Sequence, residues 1–270
     1  TDRSRGLGDV YKRQVKELIL VAQETTVYGK DLYGKKSLHI LLKKLCEIRG
    51  IRWIRILYCY PEEIYDELIE TIRDEKKICH YLDIPIQHAS DRILKRMGRR
   101  TSKQELIDIV GKLRKEIPDI VLRTTLITGF PGETEEDHEE LKEFVDEMEF
   151  DRLGVFTYSP EENTPAAEMA DQVPEEVKEE RRDELMELQQ EISYDRGQDR
   201  IGQELLVMIE GKVADESAYI GRTYGDAPKV DGYIFVQTGE LLMTGDFAKV
   251  RVTGALEYDL IGVLSDEYTE

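Results

Sequence analysis

The turn GFPGET at residues 129–134 combines glycine, proline and an acidic side chain directly after an apolar stretch, residues 120–128. Glycine lets the backbone approach a ligand closely and adopt left-handed conformations. In α/β barrel enzymes the active site lies at the carboxyl ends of the strands, which is where this turn would be placed. We therefore predict a ligand-accessible turn, formed by Gly129, Phe130, Pro131, Gly132 and Glu133.

Polar side chains occupy comparable positions elsewhere in the chain. Gln23 and Gln87 each follow an apolar stretch, and Arg123 and Thr125 lie within the stretch that leads into the turn. Alternation along a strand places Arg123 and Thr125 on one face. A cation inside a barrel strand needs a partner, so Arg123 either pairs with a core carboxylate or faces an anionic ligand, and the sequence leaves both open.

The residues that follow Gln87 carry alternative interpretations. His88 stands at a strand end, where either a ligand-binding or a structural role fits. Ser90 or Asp91 is expected to cap the next helix, because a short polar side chain accepts hydrogen bonds from the first amide groups of a helix.

The three cysteines, Cys46, Cys59 and Cys79, do not form an iron–sulfur motif. A cluster needs thiolates that are close in sequence or in space, and the sequence contains neither C-x-x-C nor C-x-x-x-C-x-x-C. We expect structural cysteines, no disulfide framework and no metal bound by this chain.

Apolar stretches alternate with amphipathic helical patterns from residue 15 onward, which predicts a parallel sheet with helical crossovers. The predicted strands are residues 18–22, 53–58, 81–86, 120–128 and 153–158. The predicted helices include residues 37–48, 105–115, 135–148 and 175–196, with others ending near 74 and starting at 91. After about residue 200 the period changes to two, which predicts a small β barrel. We therefore assign residues 15–199 to an α/β domain and residues 200–270 to an all-β domain.

The first fourteen residues, TDRSRGLGDVYKRQ, lack the apolar periodicity of the remainder. The codons GAT GTG TAT AAG AGA CAG translate to DVYKRQ and resemble a transposase end used in sequencing libraries. We predict that residues 1–14 are a sequencing-adaptor scar and not native sequence, the alternative being a natural tail. Native sequence would then begin near Val15, with an upstream part missing from this chain.

The net charge of the chain limits the classes of macromolecule that it is expected to bind. The 270 residues carry 38 Lys and Arg against 57 Asp and Glu, a net charge of −19. Such acidity disfavours general nucleic-acid binding and suits a basic protein partner, although the acids also solubilise the surface. No apolar run is long enough for a transmembrane helix and no secretory leader is visible, so we expect a cytoplasmic protein without a membrane partner.

Six segments, taken in order, resemble the radical S-adenosylmethionine methylthiotransferases. They are LILVAQETTVYGKDLYGKKSLHILLKKL, IRWIRILYCYPEEI, YLDIPIQHASDRILKRMGRR, LRTTLITGFPGETEEDHEEL, FDRLGVFTYSPEENTPAAEM and QVPEEVKEERRDELMELQQEIS. The last β segment, with YIGRTYGDAPKVDGYIFV, resembles the TRAM domain of that family. The resemblance extends over residues 15–264.

The resemblance implies a partial (β/α)6 TIM-like radical barrel, here without its first strand, followed by a small OB-like TRAM barrel. It implies S-adenosylmethionine as cofactor, and two 4Fe-4S clusters in the full-length protein that this chain does not bind. In the family, a 5′-deoxyadenosyl radical activates the substrate and a methylthio group is transferred. The resemblance implies a nucleoside-binding floor whose cofactor-binding residues would be Gln23, Gln87, Arg123, Thr125, Gly129, Phe130, Pro131, Gly132 and Glu133. Catalytic residues stay unassigned, and the chain alone is expected to be inactive.

The resemblance also points to a substrate. QHASD at residues 87–91 resembles the branch that modifies the β carbon of an aspartate in a small-subunit ribosomal protein, a basic partner. Residues 200–270 hold six Lys or Arg against thirteen Asp or Glu, whereas a barrel that binds RNA should be basic. The alternatives are a tRNA adenosine methylthiotransferase and a cluster-free binding module. We expect the ribosomal protein instead of tRNA as substrate, and a monomer.

Overall fold

The computed structural model describes residues 15–214 and 216–265, so the predicted scar lies outside the described residues. Its first half is a parallel sheet of five strands in the order β1-β2-β3-β4-β5. The strands are β1 (Glu17–Leu20), β2 (Trp53–Ile56), β3 (Ile78–Gln87), β4 (Val121–Thr128) and β5 (Arg152–Thr157). Strands that neighbour in sequence also neighbour in space, which agrees with the predicted partial barrel.

Helices connect the strands and cover one face of the sheet. They are α1 (Lys30–Tyr33), α2 (Leu38–Cys46), α3 (Asp66–Asp74), α4 (Asp91–Arg96), α5 (Lys103–Glu116), α6 (Glu135–Met148) and α7 (Glu175–Gln198), with a 3₁₀ turn at Pro61–Glu63. Capping boxes start α5 at Ser102 and α6 at Thr134, each satisfying free amide groups at the helix start. Within the described residues, no helix combines the length and the apolar character needed to cross a membrane.

The two faces of the sheet differ in chemistry because successive side chains point to opposite sides. The face under the helices is apolar and forms the main core, with Ile54, Ile56, Leu82, Ile84, Leu122 and Leu126 all buried. The opposite face, called the inner face here, carries polar and charged side chains. They include Glu17, Arg55, Tyr81, Asp83, Arg123, Thr125 and Arg152. The inner face is therefore the side available for chemistry.

The second half is a closed five-stranded barrel with the order β10-β8-β7-β6-β9. Its strands are β6 (Glu204–Lys212), β7 (Ala218–Arg222), β8 (Ile234–Gln237), β9 (Phe247–Ala255) and β10 (Leu260–Leu264). Closure leaves no exposed strand edge, which explains how so few residues form a stable β unit.

The barrel contacts the inner face of the sheet through the start of β9, the end of β7 and the loop between β7 and β8. We call residues 223–232 the floor loop. The ring of Trp53 meets that of Phe247 edge to face at 4.9 Å, and Arg55 Nη1 donates to the Tyr224 carbonyl at 2.6 Å. Arg222, at the end of β7, donates to Glu17 at 2.6 Å. The floor loop thus covers the half of the inner face nearest the amino ends of the strands.

The predicted elements agree with the observed ones to within a few residues at most ends. α6 matches the predicted bounds, while β3 begins three residues earlier than predicted, at Ile78. The short helix α1 was not predicted, because its four residues lie between two glycines and lack an apolar period.

Candidate functional site

The turn after β4 is held by a hydrogen bond between its first residue, Gly129, and its own glutamate, Glu133. Gly129 and Gly132 adopt left-handed conformations, with φ of 71° and 83°. A Cβ on Gly129 would lie 2.1 Å from Lys178 Cγ, so only glycine fits between the turn and α7. Glu133 is buried, accepts a hydrogen bond from the Gly129 amide at 2.9 Å and binds Arg181 Nη1 at 2.8 Å. The predicted site residue Glu133 thus holds the turn in shape.

His88 joins this arrangement from the end of β3. It is fully buried, and its Nδ1 accepts hydrogen bonds from the amides of Ala89 and Ser90 at 3.0 and 2.9 Å. The proton therefore lies on Nε2, which is 3.4 Å from Glu133 Oε2. Burial alone would raise the pKa of Glu133, but the nearby His88 ring, the hydrogen bond from the Gly129 amide and the charge of Arg181 hold it below its usual value. We call His88, Gly129, Glu133 and Arg181 the turn cluster.

The other groups of the turn are also engaged by the protein. Phe130 is buried, with its ring 5.2 Å from that of Tyr158. The Pro131 carbonyl accepts from Arg96 Nε at 3.0 Å, and the Gly132 amide donates to the Asp171 carbonyl at 2.7 Å. The turn is a rigid wall whose backbone is fixed before a ligand arrives.

Ser90 stands at the N-cap position of α4, directly before the helix, but its side chain makes no capping hydrogen bond. Its hydroxyl donates to Asp137 Oδ1 at 2.6 Å, so it ties α4 to the start of α6. Asp91 accepts from the amide of Lys103 at 2.6 Å. The capping prediction for these two side chains was therefore wrong, because long-range partners compete with the local helix amides.

Arg123 lies at the centre of the inner face, held by carboxylates on two sides. Its Nη1 binds Asp83 Oδ1 at 2.7 Å and Thr125 Oγ1 at 3.2 Å, and its Nε is 3.4 Å from Asp231 Oδ1 on the floor loop. Tyr81 donates to the other oxygen of Asp231 at 2.7 Å. We call Tyr81, Asp83, Arg123 and Asp231 the floor cluster.

One nitrogen of Arg123 is left available. Among the described residues, Nη2 has no hydrogen bond and no ion pair, although 16% of the side chain is exposed. Gly154, on β5, faces this nitrogen, and a Cβ built there would lie 3.6 Å from it. The structure thus gives Arg123 two carboxylate partners, Asp83 and Asp231, and the alternative of an anionic ligand stays a prediction.

Beyond Arg123, the inner face ends at the carboxyl ends of the strands. Thr125 lies on this face in β4, and Gln87 ends β3 in a left-handed conformation with φ of 76°. Tyr58, after β2, is also left-handed, and Phe156, on β5, is 60% exposed. Left-handed residues other than glycine cost energy and are concentrated at ligand sites. Arg123 and Thr125 thus share the inner face of β4, whereas Gln87 pairs with Leu126 after a register shift at the end of β3.

The loop after β1 contributes less to this arrangement. Gln23 is exposed in that loop, and its neighbour Glu24 is half-buried. Glu24 accepts hydrogen bonds from the amides of Thr26 and Tyr60, both at 2.8 Å, and burial raises its pKa. Glu24 was not predicted as a site residue, although its place beside Gln23 at a strand end was a usable signal.

The described residues do not fit an iron–sulfur cluster. They contain no group of three or more His, Cys, Asp or Glu side chains placed to hold a metal ion. Cys59 and Cys79 are buried, and burial raises the pKa of both thiols, that of Cys79 to about 12. A cluster ligand must be a thiolate, which these sites disfavour.

The donor set above the floor cluster does fit a nucleoside with an anionic tail. Arg123 Nη2 offers two free N–H donors to a carboxylate. Gln87 and Thr125 offer amide and hydroxyl groups suited to ribose oxygens. The exposed ring of Phe156 offers an apolar surface to a base.

Two regions of the sequence match family models. Residues 5–145 match the Radical SAM superfamily, and residues 201–264 match the TRAM domain. The chain belongs to the radical SAM superfamily. The first of these regions contains the sheet from β1 to β4 with Gln87, Arg123, Thr125 and the turn, and the second contains the closed barrel.

Several curated bacterial relatives are similar over nearly the whole chain. The protein described as "Ribosomal protein uS12 methylthiotransferase RimO" from Lachnoclostridium phytofermentans is 68% identical over 92% of this chain and 56% of its own length. Proteins of the same description are 54% identical in Clostridium botulinum strain Langeland, over 96% of this chain and 58% of theirs, and 55% identical in Clostridium perfringens strain 13, over 94% and 56%. The chain spans a little over half the length of these relatives.

A solved structure confirms the fold class. Coproporphyrinogen III oxidase (HemN) from Escherichia coli, described as a radical SAM enzyme, superposes with a TM-score of 0.55 at 15% identity, over 92% of this chain and 60% of that one. At this identity the likeness concerns the fold alone. It agrees with the prediction of a radical SAM α/β fold followed by a β barrel.

Proposed function

We propose that this chain is the barrel and TRAM part of a radical SAM methylthiotransferase that modifies an aspartate of ribosomal protein uS12. The observation that carries the proposal is the 68% identity to a uS12 methylthiotransferase over 92% of the chain. The inner face supports it, because its free donors suit an adenosyl ligand with a carboxylate.

We propose that S-adenosylmethionine is held on the inner face. One molecule bound there would supply the radical that activates the substrate carbon, and a second molecule of S-adenosylmethionine would supply the methyl group. Arg123 would bind its carboxylate through Nη2, Gln87 and Thr125 would contact the ribose, and Phe156 would cover the base. A fixed wall beside it would be formed by the turn residues Gly129, Phe130, Pro131, Gly132 and Glu133. Gln23 would lie after β1, at the edge of the sheet.

The two 4Fe-4S clusters implied by the family resemblance would have their ligands outside residues 15–265. The burial and raised thiol pKa of Cys59 and Cys79 support this part of the proposal. The role of the described residues is to bind and orient the nucleoside and to exclude water from it.

The substrate partner would be a basic protein and not tRNA. The C-terminal domain, with six Lys or Arg against thirteen Asp or Glu between residues 200 and 270, is suited to a basic surface and repels phosphate. We propose that this domain docks uS12, and that the protein acts as a cytoplasmic monomer.

The proposal can be tested with a chimera that joins the upstream region of a relative to this chain. The upstream region of the Lachnoclostridium phytofermentans protein is fused in front of Val15, and the chimera is produced in a bacterium that lacks its own uS12 methylthiotransferase. Intact-mass measurement of uS12 is expected to show the gain of one methylthio group. The unmodified relative from L. phytofermentans, produced in the same strain, is the positive control.

Two results would contradict the proposal. One is unmodified uS12 together with methylthioadenosine in tRNA, which would support the tRNA alternative. The other is no modification of either substrate by a soluble, cluster-loaded chimera, while the control relative modifies uS12.

A further inference from the structure

The floor loop contributes a side chain to the ligand site itself. Asp231 belongs to the C-terminal domain, yet it is part of the floor cluster under Arg123. Its Oδ2 accepts hydrogen bonds from Tyr81 Oη at 2.7 Å and from the Ala227 amide at 2.8 Å. Its Oδ1 is directed at Arg123 Nε. The carboxylate is therefore fixed on one side and presented to the guanidinium on the other.

We propose that Asp231 is a positioning residue, through which the C-terminal domain orients Arg123 so that Nη2 faces the ligand space. The inference deepens the function proposed above and rests on it for the identity of the ligand. Its physical basis is that Asp83 and Thr125 both contact Nη1, and contacts at that one nitrogen leave the rest of the guanidinium free to turn about it. A second carboxylate at Nε fixes the plane of the group, and that plane decides where Nη2 points.

A neighbouring carboxylate in the same loop shows what a structural role would look like. Asp226 is buried, binds Arg152 Nη2 at 2.6 Å and accepts from Thr223 Oγ1 at 2.6 Å. No contact joins it to Arg123 within the described residues. Asp226 fastens the floor loop to β5, whereas Asp231 acts on the central arginine. Asp226→Asn is therefore the matched control for Asp231→Asn.

The consequence is that the C-terminal domain is more than a docking platform. Any displacement of the floor loop would move Asp231 and so release Arg123. Binding of a protein at this domain and binding of the nucleoside on the inner face would then be coupled, and each would strengthen or weaken the other by the same factor.

The first experiment needs no ligand. Nitrogen-15 NMR of the chain resolves arginine Nε–H groups that are held in slow exchange by a partner. The Arg123 signal, assigned from Arg123→Lys, is expected in the wild type and in Asp226→Asn and is expected to disappear or shift strongly in Asp231→Asn. An unchanged Arg123 signal in folded Asp231→Asn would overturn the inference.

The second experiment measures ligand affinity with S-adenosylhomocysteine as the probe, by calorimetric titration of the same three proteins. Asp231→Asn is expected to weaken binding by about tenfold, typical of removing a group that orients a binding side chain. Asp226→Asn is expected to bind within about twofold of the wild type, since single contacts away from the site change little. If both variants bind S-adenosylhomocysteine equally weakly, the floor loop acts only by stabilising the fold, and the inference is overturned.

Two further results, a failure to bind the probe and a failure of Asp231→Asn to fold, can each be told apart from a failure of the inference. If the wild type does not bind S-adenosylhomocysteine, the ligand assignment fails, while the NMR result still decides whether Asp231 orients Arg123. If Asp231→Asn does not fold, Tyr81→Phe removes one support of Asp231 and leaves the arginine untouched. A shifted Arg123 signal in Tyr81→Phe supports the inference, and an unchanged one overturns it.

Discussion

The turn cluster and the floor cluster each pair a buried carboxylate with an arginine, but they leave different groups free. In the turn cluster, Glu133 uses both oxygens within the protein, and its pKa is lowered. In the floor cluster, burial raises the pKa of Asp231, and Arg123 keeps one amino group open. The difference indicates that the first cluster fixes the backbone of the site while the second presents a charge to a ligand.

The largest expected effect comes from breaking the turn cluster. Glu133→Gln would leave the buried Arg181 with only the exposed carboxylate of Glu135 as counter-charge, and the free energy of unfolding is expected to fall by about 3–5 kcal/mol. Urea unfolding at pH 7 measures it. A loss below about 1 kcal/mol, the size of an exposed ion pair, would show that this cluster is no more structural than the floor.

The next prediction separates the cost of left-handed backbone strain at Gly129 from the cost of steric overlap between a new methyl group and Lys178. Gly129→Ala is expected to cost about 3 kcal/mol, because the methyl group would displace the buried stem of Lys178 in addition to the left-handed strain. The control is Gly34→Ala: Gly34 has φ of 72° with nothing within 4 Å, so only the strain of about 1 kcal/mol remains. Thermal unfolding of both variants gives the comparison. Equal losses would mean that α7 does not hold the turn.

The pH dependence of stability should have opposite signs in the two clusters. Since the folded-state pKa of Glu133 lies below 4.5, its ionised form stabilises the fold at higher pH, and this contribution is lost as pH falls through the folded pKa. Since the folded-state pKa of Asp231 lies above 3.8, its protonation adds stability as pH falls.

Unfolding free energies measured between about pH 6 and pH 3 therefore separate the two carboxylates. The gap between the wild type and Glu133→Gln is expected to narrow on acidification, and the gap between the wild type and Asp231→Asn is expected to widen. Parallel curves for the two variants would remove the distinction between the clusters.

The smallest effect on stability is expected at the edge of the ligand space. Phe156→Ala should change the free energy of unfolding by less than about 0.5 kcal/mol, because the ring is 60% exposed. It should nevertheless weaken S-adenosylhomocysteine binding, since the ring would cover the base. Calorimetry and urea unfolding of the same preparation test both parts. A large stability loss with unchanged affinity would make Phe156 a core residue.

Local patterns predicted the sheet and the barrel well, because strand alternation and helical periods are short-range signals. The same alternation placed Arg123 and Thr125 on one face, and the structure confirms it, with Thr124 buried on the other side. Asp231 could not be found in this way, since it reaches Arg123 only after the second domain folds back on the first. The role of His88 was left open for a similar reason, because Glu133 meets it only in the folded chain.

The central claim is that the inner face, through Arg123, holds the ligand used to modify uS12. The most direct test is the mass of uS12 in cells that produce the chimera with either the wild-type residue or Arg123→Lys, at equal protein levels. Lysine keeps a charge for Asp83 but lacks the second amino group. We predict methylthio-modified uS12 with the wild-type chimera and at least a tenfold smaller modified fraction with Arg123→Lys, about the effect of losing one charged contact. Unmodified uS12 with the wild type, or equal modification by both, would contradict the account.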